Sequence, residues 1–145
     1  MSEASDHAAI LEMLARYSTA LDQRHWQLLE QVFTPDLVYD AGEWTTYSFE
    51  DYIGRLRPYL EGCGPTQHML GNYRIALDGD KARTAVYVRA FHVGTRELSD
   101  TTYEMFGEYQ DELMRTEAGW RSHHRTLRLH LERGSREVLR PGPVE

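Results

Sequence analysis

Thr66-Gln67-His68-Met69-Leu70-Gly71-Asn72-Tyr73-Arg74-Ile75-Ala76-Leu77 is the stretch on which the fold turns. Before it, apolar residues recur every three or four positions, the helical period. From it onward they alternate, the strand period. Upstream, Ile10, Leu14, Tyr17 and Leu21 predict a helix over Ser5–Leu21, capped by Ser5 or Asp6. Trp26, Leu29 and Phe33 predict a short second helix, ended by Thr34-Pro35-Asp36. Leu37–Tyr39 and Trp44–Tyr47 read as short strands. Tyr52, Ile53, Leu56 and Leu60 predict a third helix over Phe49–Glu61, stopped by Gly62-Cys63-Gly64-Pro65. Downstream, four long strands are predicted: Thr66–Leu77, Ala82–Val93, Thr101–Met114 and Trp120–Leu131. Asp78-Gly79-Asp80 and Glu117-Ala118-Gly119 read as hairpin turns. Helices followed by antiparallel strands indicate an α+β fold. Helices over one face of a curved sheet would enclose a cone-shaped cavity.

The chain has 145 residues, enough for one core. We expect a single domain over residues 1–133 and a loosely ordered, Arg-, Gly- and Pro-rich tail over 134–145. Net charge is -7 and the sequence pI about 5.5, which argues against a nucleic-acid partner. No apolar run approaches membrane-spanning length, and the first residues do not read as a signal peptide. Cys63 is the only cysteine, so no intrachain disulfide is expected, consistent with a cytoplasmic location.

Few residues carry specific chemistry. His68 is a candidate general base, because imidazole takes and returns protons near neutral pH. Asp22 is a candidate partner that would fix the His68 tautomer. Its place between two helices equally suits a helix cap. His92 shares the apolar, inward face of its strand with Val86, Val88 and Ala90, so it is either a core residue or a group at a pocket mouth. Tyr17 and Tyr39 are candidates to bind a substrate carbonyl. Neither GxGxxG nor GxxxxGK[ST] occurs, and no metal-ligand spacing is present, so no cofactor and no metal are expected. Tyr87 and Phe91 fall on the face opposite His92. Their exposure would favour a homodimer or homotrimer.

The segments Tyr17-Ser18-Thr19-Ala20-Leu21-Asp22-Gln23-Arg24-His25-Trp26, Val32-Phe33-Thr34-Pro35-Asp36, Thr66-Gln67-His68, Leu77-Asp78-Gly79-Asp80-Lys81-Ala82, Gly107-Glu108-Tyr109 and Gly119-Trp120-Arg121 resemble SnoaL-like proteins in order and spacing. The resemblance implies the nuclear-transport-factor-2-like cone, with three N-terminal helices packed on a curved, mostly antiparallel sheet. Within that superfamily the pattern resembles scytalone dehydratase, whose Asp and two His would fall on Asp22, His68 and His92. Its polar strand residues would fall near Glu108 and Gln110, taken as substrate-binding candidates. Its two tyrosines are replaced by Leu21 and Ala41, which speaks against scytalone itself.

The expected function is a cofactor-free lyase or isomerase acting on a small apolar, polyketide-like or steroid-like carbonyl compound, by preference a dehydratase. His68 would abstract a proton α to the carbonyl and Asp22 would orient it. His92 would assist the enolate or the departing hydroxyl. The alternative is a non-catalytic binding module or accessory subunit using the same cavity. A bond from Asp22 to His68 favours the enzyme; bonds to backbone amides of the second helix favour the module.

Overall fold

The computed structural model describes residues 2–139. It contains α1 (Glu3–Asp22), β1 (Phe33–Asp40), β2 (Thr45–Thr46), α2 (Phe49–Glu61), β3 (Thr66–Asp78), β4 (Lys81–Val93), β5 (Thr102–Thr116) and β6 (Gly119–Gly134). Three short 3-10 segments, Trp26–Gln31, Arg96–Leu98 and Arg136–Val138, complete it. The strands form one six-stranded sheet in the order β2-β1-β6-β5-β4-β3. β1 runs parallel to β6 and every other pair is antiparallel.

α1 forms because its apolar residues make one stripe: Ile10, Met13, Leu14, Tyr17 and Leu21 are all buried. Each such large apolar side chain contributes about 1.5–3 kcal/mol on burial. The cap is Ser2, whose Oγ accepts from the Ser5 amide, and not Ser5 or Asp6. Asp6 is instead buried against the sheet, accepting from Arg115 and from Trp120 Nε1.

The expected second helix is corrected. Trp26–Gln31 is a 3-10 turn, and Phe33 opens β1 rather than closing a helix. The cause is non-local: the Ser122 amide donates to the Val32 carbonyl at 2.8 Å, and Phe33 pairs with Ser122. Pro35, which has no amide to give a ladder, falls where that register shifts, between Phe33 and Val38.

Alternation sorts the long strands. Val86, Val88, Ala90 and His92 of β4 face inward with Tyr103, Tyr109 and Leu113 of β5, all of them buried. The strand register shifts at Gly71/Arg74, Phe106/Gly107 and Glu112/Leu113, bulges of the kind that bend a strand and increase its twist. At one bulge only glycine fits: a Cβ on Gly107 would lie 2.5 Å from the Arg128 carbonyl oxygen.

The stretch expected to be loosely ordered, 134–145, begins with defined structure. Arg136–Val138 is a 3-10 turn, Val138 is buried, and its carbonyl accepts from Cys63 Sγ. Residues 140–145 lie outside the described residues. Among the described residues, no helix is long and apolar enough to cross a membrane.

Candidate active site

Asp22 is the last residue of α1, and His68 is the third residue of β3. The junction between these elements is clasped by Arg24, whose φ of 55° is left-handed. Its guanidinium donates to the carbonyls of Leu21, Leu60 and Gly64 and to Thr66 Oγ1. One cation thereby ties the end of α1 to the end of α2 and the start of β3.

The clasp presents the Asp22 carboxylate to His68. Oδ1 accepts from Thr66 Oγ1 at 3.0 Å and from His68 Nδ1 at 2.7 Å. Oδ2 accepts from the His68 amide at 2.8 Å. Burial alone would raise the Asp22 carboxyl, but the His68 and Thr66 bonds and the His68 charge outweigh it, and the group sits below its ordinary value. An ionised carboxylate only accepts, so Nδ1 of His68 carries the proton and Nε2 of the neutral ring carries the lone pair. Asp22 does not cap the following turn, whose N-cap is His25 with no side-chain cap bond.

His92 stands beside His68 with ring centroids 5.5 Å apart at 84°. Its Nδ1 donates to the Tyr103 carbonyl at 3.1 Å. Burial, aided by the neighbouring His68 charge, pushes the ring down to about 4. Both histidines line a cavity of about 730 Å³ between the sheet and the helices. Tyr17, Leu21, Trp44, Leu56, Met105 and Leu127 are among its other walls.

Tyr17 and Tyr39 line the same cavity. The Tyr17 hydroxyl lies 3.1 Å from that of Tyr52 and 3.4 Å from that of Tyr109. Burial first, then the surrounding phenols, hold Tyr39, Tyr52 and Tyr109 well above the ordinary tyrosine range. These phenols are therefore neutral and keep protons to donate. Tyr39 also stacks between Trp44 and Tyr52.

The placement of Glu108 and Gln110 is corrected. β5 turns Tyr103, Met105 and Tyr109 inward, so the intervening residues face the other side of the sheet. There Glu108 accepts from Arg74 and from Gln110 Nε2, and Gln110 Oε1 accepts from Arg128. Neither lines the cavity that His68 and His92 share.

Beneath Tyr17 lies a pair that the sequence reading missed. Arg125 Nε donates to both Asp111 oxygens, at 2.8 and 3.0 Å, and both side chains are fully buried. The guanidinium carbon is 4.3 Å from the ring centres of Tyr17 and Tyr109 and 5.2 Å from that of Phe33. Burial opposes its charge, but Asp111 more than compensates, so Arg125 stays a cation. Arg125 Nη1 and Nη2 have no hydrogen-bond partner among the described residues. The available signal was alternation: Asp111 and Arg125 fall in step with the inward residues Tyr109 and Leu127. Among the described residues, no three His, Cys, Asp or Glu side chains gather to hold a metal ion.

Comparison with known proteins identifies the family and the fold. The SnoaL-like domain family matches residues 2–126. The uncharacterised protein Rv2910c of Mycobacterium tuberculosis is 31% identical over 125 residues, 83% of each chain. The structure of a candidate scytalone dehydratase from Novosphingobium aromaticivorans superposes with a TM-score of 0.82 at 24% identity, covering 97% of this chain and 94% of that one. The hexachlorocyclohexane dehydrochlorinase LinA-type3 from Novosphingobium barchaimii superposes with a TM-score of 0.78 at 15% identity, covering 97% of both chains. At these identities the two superpositions show a shared fold.

Proposed function

We propose, from the premise that this chain belongs to the SnoaL-like family of the nuclear-transport-factor-2-like superfamily, that it is a cofactor-free lyase or isomerase. It acts on a small, largely apolar carbonyl compound. The observation that carries the reading is the 2.7 Å contact of Asp22 with His68 Nδ1, on a histidine that lines the cavity between the sheet and the helices. Asp22 holds the tautomer that leaves Nε2 as the base and stabilises the imidazolium once it forms.

Nε2 of His68 takes a proton from the carbon α to the carbonyl. The phenol of Tyr17, whose oxygen lies 3.1 Å from that of Tyr52 and 3.4 Å from that of Tyr109, donates to the oxygen on which negative charge grows. The His68 imidazolium then returns the proton. Returned to a departing hydroxyl on the next carbon, it completes a dehydration; returned to another carbon, it completes an isomerisation. Dehydration is favoured, because the dehydratase and the dehydrochlorinase of like fold are both named for eliminations.

The test is α-proton exchange of cyclic ketones in heavy water, followed by NMR. The protein should accelerate exchange, and folded His68→Ala and Asp22→Asn should each lose at least about 10²-fold. The double variant should be little worse than His68→Ala, since the two act as a unit. A folded His68→Ala that exchanges at the normal rate sinks the mechanism. Asn is chosen because it keeps the size of Asp and one acceptor oxygen while removing the charge.

A further inference from the structure

The cavity is flanked by two segments that the sheet holds only loosely. One is the turn 41–44 between β1 and β2, where β2 is a two-residue strand at the sheet edge. The other is the strap, residues 135–139 after β6. Gly42, Glu43 and Trp44 line the cavity from the turn, and Arg136 and Leu139 line it from the strap. The Ser135 amide donates to the Thr102 carbonyl, but the later backbone bonds of the strap close its own turn. Among the described residues, its remaining ties to the rest of the chain are the bond from Cys63 Sγ to the Val138 carbonyl, at 3.2 Å, and those of the Arg136 side chain.

Arg136 Nη1 donates to both carboxylate oxygens of Glu43, at 3.0 and 3.1 Å, and Nε donates to Glu132 of β6. Glu132 also accepts from the hydroxyl of Tyr103, a cavity residue, at 2.6 Å. One guanidinium thereby joins the strap to the turn on the other flank. The Arg136 and Glu43 side chains are 50% and 65% exposed. An ion pair so exposed is weak and yields to salt. It holds the two segments together without fixing them.

We infer that the strap is a gate to the cavity, latched by Arg136 on Glu43, and that a ligand enters when the latch parts and the strap lifts off Cys63. The inference concerns access and does not depend on which residue acts as base. Its test needs no turnover, so its failure is distinct from failure of the His68 mechanism.

Cys63 is the only cysteine and is buried under Val138, so its labelling by N-ethylmaleimide, a neutral reagent, reads lifting of the strap. Entry is read separately, by the same reagent on Met105→Cys, in the cavity wall. That protein also carries Cys63→Ser, which keeps a donor for the Val138 carbonyl; Leu127→Cys is the second choice of site should Met105→Cys not fold. Glu43→Gln and Arg136→Gln should each quicken labelling at both sites about two- to fivefold, the scale of one exposed ion pair. Raising salt from about 0.02 M to about 0.5 M should quicken labelling when the latch is intact and leave Arg136→Gln unchanged. Arg57→Gln, which removes a comparably exposed pair with Glu61 on α2, should change neither rate. Cavity-site labelling that is equally fast with and without the latch overturns the inference. So does a change at only one of the two sites, or an equal gain in Arg57→Gln.

Discussion

Asp111→Asn should be among the most damaging single substitutions in this chain, although Asp111 is not proposed to touch substrate. It leaves the Arg125 guanidinium fully buried with no counter-charge. Removing one partner of a buried ion pair costs about 3–5 kcal/mol, a large share of the roughly 5–15 kcal/mol that holds a domain together. Arg125→Met should cost a similar amount at neutral pH, with a different signature in acid. A lone buried carboxylate can shed its charge by taking up a proton; a guanidinium cannot. The loss in Arg125→Met should therefore shrink by about 1.4 kcal/mol per pH unit as pH is lowered, while the loss in Asp111→Asn stays nearly constant. The double variant Arg125→Met/Asp111→Leu should recover most of the loss, apart from what the cation gains against Tyr17, Tyr109 and Phe33. Urea unfolding of the four proteins at pH 7 and pH 5 measures all of this. A cost below about 1 kcal/mol for Asp111→Asn would show that the pair is not held in a dry interior. Equal acid relief in both single variants would refute the argument from protonation.

Two further outcomes follow from features of the fold. The His92 ring is pushed down to about 4, so between about pH 6.5 and pH 4 the unfolded chain binds a proton that the folded chain refuses, and stability falls as pH falls through that window. The full effect is about 3 kcal/mol; His92→Gln should lose that slope in chemical denaturation, and an unchanged slope would count against it. On the outer face of the sheet Met69, Tyr87 and Phe91 are 58%, 49% and 37% exposed, so light scattering at micromolar concentration should give two or three times 16.9 kDa. Phe91→Glu should lower that mass, and a wild-type mass of one chain contradicts the expectation.

Local pattern made much of the fold legible. The Ile10–Leu21 stripe marked the face of α1, and the change of period at Thr66 marked the start of the sheet. Asp78-Gly79-Asp80 marked its first long hairpin, where Gly79 adopts a φ of 60°. Phe33 misled because its helical spacing from Trp26 and Leu29 is real, whereas its strand partner, Ser122, is 89 residues away. Pairing at that separation leaves no mark on the residues beside it. Asp22 and His68 were each ambiguous alone, because the clasp that joins them is built by Arg24 and Thr66, which carry no signature of their own. Glu108 and Gln110 were placed by resemblance, while the alternation that set Tyr109 inward already turned both outward.

The Arg24 clasp separates two tasks within one cavity. The proposed proton-transfer pair is held where the end of α1 meets the end of α2 and the start of β3, whereas other parts of the cavity wall come from elsewhere: Trp44 beside β2, Met105 of β5 and Leu127 of β6. Exchanging those side chains should change which molecule the cavity admits while leaving the Asp22–His68 pair where it stands. Reprogramming this scaffold for a new compound is thus a problem of re-tailoring the lining around a carboxylate–imidazole pair anchored largely independently of it.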